Sequence, residues 1–139
     1  MSLRFLLDTN AVSEPIRPRP NRAFLDNLRT HERVLATASV VWHELLFGVS
    51  RLPASSKRQI IERYLTEVIE STIAILLYDE AAAVWHASER SRLVARGRTP
   101  SFADGQIAAI AATNNLVLVT RNTSDFEQFA DLRVENWHQ

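Results

Sequence analysis

Two stretches constrain this chain more than any others. Phe5-Leu6-Leu7 and Leu116-Val117-Leu118-Val119 are apolar at every position, and each stops abruptly in polar residues. Uninterrupted runs of this length suit strands buried on both faces, as in a parallel sheet covered by helices. The first run ends in Asp8-Thr9-Asn10 and the second in Thr120-Arg121-Asn122. Ligands of open parallel sheets bind beyond the carboxyl ends of the strands, which is where these groups fall. The structural alternative is that Asp8 or Asn10 only caps a following helix.

Helical and extended signals alternate along the rest of the chain. A short helical turn after Asn10 is cut off by Pro15, and Pro18 and Pro20 stiffen a basic loop carrying Arg17 and Arg19. A helix bearing Ala23, Phe24 and Leu28 is expected after Pro20, then a strand over Val34–Thr37, then a helix capped by Ser39 and running through Phe47. Pro53 to Thr72 is the clearest amphipathic helix, with Ile60, Ile61, Tyr64, Leu65, Val68 and Ile69 on one side. Ile73–Leu77 is a third strand. Asp79 and Glu80 open a long helix ending near Gly97, whose arginines Arg90, Arg92 and Arg96 read as a solvated face. A small-residue helix spans Ala103 to Asn115, and Leu132–Val134 is a last short strand. This alternation predicts one α/β domain over residues 1–139, a sandwich around a mainly parallel sheet.

Bulk properties exclude several functions. With 139 residues and no cysteine, the chain can bury a core without disulfides and has no thiolate metal site, which suits a reducing cytoplasm. It lacks the apolar segment of a signal peptide and any run of membrane-spanning length. Sixteen basic and sixteen acidic residues cancel, so overall charge does not drive nucleic-acid binding, although a local basic path remains open. His43-Glu44 begins a zinc-protease motif but lacks the second histidine, since Phe47 stands there. There is no phosphate-binding glycine loop and no nucleophile elbow.

Four places set acids or amides against the apolar framework: Asp8, Glu44, Asp104, and Asn122 with Asp125. Each has a structural reading. Asp104 completes a capping box with Ser101, Asp125 caps a turn before Phe126, and Glu44, flanked by Trp42, Leu45, Leu46 and Phe47, pairs with an arginine. If they converge at the carboxyl edge of the sheet, their repulsion calls for a hard divalent cation, and oxygen-only ligation suits magnesium or manganese. Such clusters hydrolyse phosphodiesters.

These segments resemble those of the PIN-domain ribonucleases, and specifically the VapC-type toxins of bacterial toxin–antitoxin pairs. Leu7-Asp8-Thr9-Asn10, the Glu44-Leu45 to Gly48 segment, Ala103-Asp104-Gly105-Gln106-Ile107-Ala108-Ala109 and Val119-Thr120-Arg121-Asn122 resemble four family motifs in order, over essentially the whole chain. Val12 to Pro20 and the terminal Trp137-His138 are similar to the FitB-like branch.

The resemblance implies a PIN-like three-layer α/β/α sandwich and a cytoplasmic, Mg2+- or Mn2+-dependent endoribonuclease toxin. Asp8, Glu44, Asp104 and Asp125 would serve as catalytic and metal-binding residues, supported by Thr9, Asn10, Thr120 and Asn122. Asn122 departs from the family, which often has an acid there, and Asp125 would supply the missing charge. Arg17, Arg19, Arg96 and Arg98 are candidates for contacting RNA and the antitoxin. Expected partners are a small DNA-binding antitoxin, an RNA substrate and a second copy in a homodimer or larger assembly, with no membrane. Two rivals remain: a phosphoryl-transfer enzyme with Asp8 as nucleophile, which lacks its usual second acid and lysine, and a non-enzymatic partner of a DNA-binding protein.

Overall fold

The computed structural model describes residues 2–139. Five strands, β1 (Phe5–Leu7), β2 (Leu35–Ala38), β3 (Ala74–Leu76), β4 (Val117–Val119) and β5 (Val134–Glu135), form one sheet in the order β3-β2-β1-β4-β5. Every pairing is parallel, with Leu6 opposite Ala36 on one side and Leu118 on the other. The two apolar runs are therefore neighbours at the centre, and Leu6 and Leu118 are fully buried.

Helices α1 (Thr9–Ser13), α2 (Arg22–Thr30), α3 (Ser39–Ser50), α4 (Ser56–Arg63), α5 (Glu70–Thr72), α6 (Glu80–Ala95) and α7 (Phe102–Thr113) fill the connections. From β1 the chain steps outward to β2 and β3, then returns across the sheet to β4. Right-handed crossovers in opposite directions place helices on opposite faces, which gives the three-layer α/β/α sandwich. The reversal between β1 and β4 is the topological switch point, and their carboxyl ends carry Asp8 and Thr120.

Several local expectations shift. Ser39 does not cap α3: β2 runs straight into the helix, Ala38 holds the cap position, and no side chain caps it. The amphipathic helix starts at Ser56 rather than Pro53, because Ser55 accepts the Arg58 N–H. It then widens into a π-helical segment, Tyr64–Ile69, before α5 closes it. That segment buries Leu65 and Ile69, and the Tyr64 hydroxyl donates to the Val12 carbonyl at 2.7 Å. Strand β3 is shorter than Ile73–Leu77, and Leu77 is left exposed. The last strand begins at Val134, two residues later than expected. Arg92 is not part of a solvated face: its guanidinium forks onto the buried Glu89 at 2.7 and 2.9 Å and donates to the Gln128 carbonyl. Glu89 also accepts the Ala130 N–H at 2.6 Å, so α6 grips the loop that follows Asp125.

The two ends of the chain are stitched together. Trp137 is 3% exposed and packs against Phe5, Phe24 and His31, while Asn27 donates to its carbonyl. Glu14, also buried, accepts the Asn21 N–H at 2.9 Å and pairs with His138 Nε2 at 3.0 Å, with Arg17 alongside. Burial works against the Glu14 charge, but these hydrogen bonds and Arg17 outweigh it and hold its pKa below 4.5. A depressed carboxylate contributes stability that is present above its unfolded value and lost as pH falls through the folded one. Glu14→Gln is accordingly expected to cost about 1–3 kcal/mol at neutral pH, with the deficit vanishing in acid, as melting curves across pH would read.

Candidate functional site

The site grows out of the carboxyl edge of β1. Asp8 is 6% exposed and caps α1, accepting the Ala11 N–H at 2.9 Å, while its own N–H donates to the Val119 carbonyl of β4. The capping reading of Asp8 is thus correct as far as it goes, and the cap engages only one of the two carboxylate oxygens. Burial pushes the Asp8 pKa up; hydrogen bonds from Thr120 and Ala11 oppose this, and the nearby Asp104 adds to it, for a net rise.

Glu44 comes from the middle of α3, which packs on α1. It is not paired with an arginine. Instead the Thr9 hydroxyl donates to Glu44 Oε2 at 2.6 Å, so the residue after Asp8 fixes the orientation of the second acid. Asp104 sits in the first turn of α7, where Ser101 caps the helix by accepting the Asp104 N–H at 3.1 Å. Its pKa is also raised, first by burial and further by Asp125 and Glu44, against a hydrogen bond from Ser101. Asp125 ends a short 3-10 turn, Thr123–Asp125, anchored by its N–H to the Asn122 carbonyl; it caps nothing and is exposed.

These residues meet. Asp8, Thr9, Asn10, Glu44, Asp104, Asn122 and Asp125 all line one small cleft of about 260 Å³, with Ile107 and Phe126 as its apolar lining. Thr120 lies behind it, buried, hydrogen-bonded to Asp8 and accepting the Asn122 N–H at 3.0 Å. None of Arg17, Arg19, Arg96 and Arg98 lines the cleft, and Arg17 is engaged with Glu14. The reading of residue types passed over Ile107, although it lies three residues after Asp104 on the same helical face.

Four carboxylates and several hydroxyl and amide oxygens, with no sulfur or imidazole among them, form a donor set for a hard cation. Two of the acids, Asp8 and Asp104, are held above their ordinary pKa by burial and by neighbouring carboxylates, a conflict that a positive charge would relieve. As the side chains lie, no three acids or histidines among the described residues close on a common point. The donor set therefore fits such an ion in kind, and the carboxylates would have to draw inward to chelate it. No helix among the described residues is long and apolar enough to cross a membrane.

Fold, switch point and acidic cleft together define a class, and the comparison with known families agrees: the chain belongs to the PIN-domain family, whose model matches residues 5–132. Within that family it is similar to Toxin FitB of Neisseria gonorrhoeae, at 39% identity covering 96% of this chain and 98% of the relative. It is also 35% identical to the tRNA(fMet)-specific endonuclease VapC of Shigella flexneri, covering 97% of this chain and 98% of that one. Among solved structures, FitAB bound to a DNA fragment superposes with a TM-score of 0.89 at 31% identity, covering 97% of this chain and 96% of that chain. The VapBC complex of Salmonella typhimurium bound to DNA superposes at 0.84 with 27% identity, covering 97% and 98%.

Proposed function

We propose that this chain is an endoribonuclease working with a bound magnesium or manganese ion and silenced by a small antitoxin protein. The observation that carries this reading is the convergence of Asp8, Glu44, Asp104 and Asp125 on one cleft at the switch point of a PIN-family sheet. The relatives named as endonuclease and toxin support it.

In this reading Asp8, Glu44 and Asp104 hold the ion, and Asp125 with the Asn122 amide completes the far flank. When bound, such an ion polarises a phosphate oxygen and acidifies water at the site. The chain's own residues orient that chemistry. Thr9 locks Glu44 through its short hydrogen bond, and Thr120 ties Asp8 to the Asn122 backbone. Ile107 and Phe126 supply the apolar part of the cleft wall. Arg17, Arg19, Arg96 and Arg98 are exposed outside the cleft and would guide the RNA backbone toward it.

The antitoxin's seat in this reading is an apolar groove of about 570 Å³ bordered by Val12, Leu25, Leu28, Tyr64 and Val68, with Arg29 and Arg33 also lining it. Its shape and lining suit the apolar face of an amphipathic segment. Self-association belongs to the same reading, because Ile60 of α4 and Val84 and Val94 of α6 leave apolar surface exposed. A monomer by light scattering at tens of micromolar, alone and with antitoxin, would count against it.

The deciding experiment is RNA cleavage by purified, partner-free protein in Mn2+ and in chelator. Cleavage confined to the metal, and suppressed by a co-expressed cognate antitoxin, is the expected result. Tight antitoxin binding without cleavage in any divalent ion would leave a partner of a DNA-binding protein instead. The same assay tests the departure at Asn122. Asn122→Asp is expected to lower the Mn2+ concentration needed for half-maximal activity, and Asp125→Ala to raise it, each by about tenfold or less, since affinity follows ligand charge. Three superimposable titrations would confine the ligands to Asp8, Glu44 and Asp104.

A further inference from the structure

Directly behind Asp104, α6 presses a buried histidine into α7. The His86 ring is 4% exposed, and its edge occupies the space where any side chain at position 105 would begin: a Cβ built on Gly105 would lie 2.2 Å from Nε2 and 2.7 Å from Cδ2. On the other side of Asp104 in sequence, the Phe102 ring packs on the same imidazole at 4.9 Å between centroids. Nδ1 of His86 is hydrogen-bonded to the Tyr78 hydroxyl at 2.9 Å, and the two rings stand edge to face. Arg90, one turn along α6, lies over the Phe102 ring. Burial and Arg90 lower the His86 pKa, which favours a neutral ring. An imidazole fixed in rotation by Tyr78 thus packs on Gly105, the residue after Asp104, and on Phe102, two residues before it. The Ser101 hydroxyl and carbonyl hold the same turn through the Asp104 and Gly105 N–H groups.

We infer that the Tyr78–His86 pair is a positioning device for Asp104, setting the first turn of α7 at the height from which that carboxylate reaches the cleft shared with Asp8 and Glu44. This rests on the reading of the cleft as a cation site. Gly105 is the complementary part, because only a residue without a side chain lets the imidazole approach this closely. An internal glycine normally weakens a helix, and alanine is the better helix former. Gly105→Ala should therefore help the helix in isolation, yet here it forces the turn off the ring.

The test is a suppressor pair. Gly105→Ala is expected to weaken Mn2+ binding, measured calorimetrically well below the melting temperature, by about tenfold or more, in the range seen when a residue behind a metal ligand is lost. It should also speed amide exchange at Asp104 and Gly105, read by NMR. Adding His86→Ala makes room for the new methyl and should restore both readouts to near wild type, and Tyr78→Phe, which leaves Nδ1 without its partner, should weaken Mn2+ binding about threefold. Wild-type Mn2+ affinity in Gly105→Ala, or a double variant no better than the single, would overturn the positioning role. If the wild-type protein itself binds no Mn2+, the cation reading fails, and amide exchange then decides: acceleration in Gly105→Ala that His86→Ala reverses supports the positioning of the turn, and unchanged exchange refutes it.

Discussion

Asp8→Asn and Asp104→Asn are each expected to lower RNA cleavage by more than about 100-fold, since even the loss of a group behind a metal ligand costs 10–100-fold. The variants should nonetheless fold at least as well as the parent. Asparagine caps a helix as well as aspartate, so an amide at position 8 can still accept the Ala11 N–H, and the α7 cap belongs to Ser101. The sign of the charge effect points the same way. Both carboxyls are held above their unfolded value of 3.8, chiefly by burial, so each resists ionisation in the folded chain. Their ionised forms work against folding at neutral pH and cease to do so in acid. Without metal, the asparagine variants should melt at or above the parent at neutral pH, with the difference closing below the unfolded value. Saturating Mn2+ should stabilise the parent and leave both variants unmoved. Full cleavage with earlier melting in Asp104→Asn would reduce that residue to part of the helix cap.

Trp137→Ala is expected to be the most damaging single truncation outside the cleft, costing about 3–5 kcal/mol, the usual range for emptying a buried tryptophan site. The indole fills the space between Phe5 of the central strand, Phe24 of α2 and His31, and its Nε1 donates to Glu135 at 3.0 Å. Denaturant unfolding would read the loss as a lower midpoint with little change in slope. A loss below about 1 kcal/mol would mean that the C-terminal residues rest on the domain without holding it. Trp137→Phe should recover most of the difference.

What could be read from the sequence was whatever the pattern of burial writes into neighbouring residues. The central strands announced themselves because burial on both faces leaves no polar position within them. Asp8 at the end of the first stood out against that background, and the cleft unites it with Glu44, Asp104, Asp125, Thr9, Asn10 and Asn122. Details that depend on distant partners were illegible. Glu44 called for a partner, and the local composition suggested an arginine, but the fold supplies Thr9, 35 residues away. Arg92 sits in a run of charges that looks like a wet face, and only the return of the chain near Gln128 turns it into a clamp. Ser39 had the right chemistry for a cap, yet β2 passes into α3 without a linker and makes Ser39 the first helical residue. The Asp104-Gly105 step did carry a local clue, a glycine inside an alanine-rich helix, which signals close approach without naming His86 as the neighbour.

The strand order also governs when the protein can come into being on the ribosome. Strand β1 emerges first but lies at the centre of the sheet, and its second neighbour, β4, begins only at Val117. At elongation speeds of up to about 20 residues per second, the central strand waits several seconds for that neighbour. Asp8 and Glu44 leave the exit tunnel well before Asp104 and Asp125, and Trp137, which packs on Phe5 and Phe24, follows all four acids. A stalled or prematurely terminated chain therefore carries half the acids and no closed core to hold them. The cleft comes together only once Asp125 has emerged, long after Asp8.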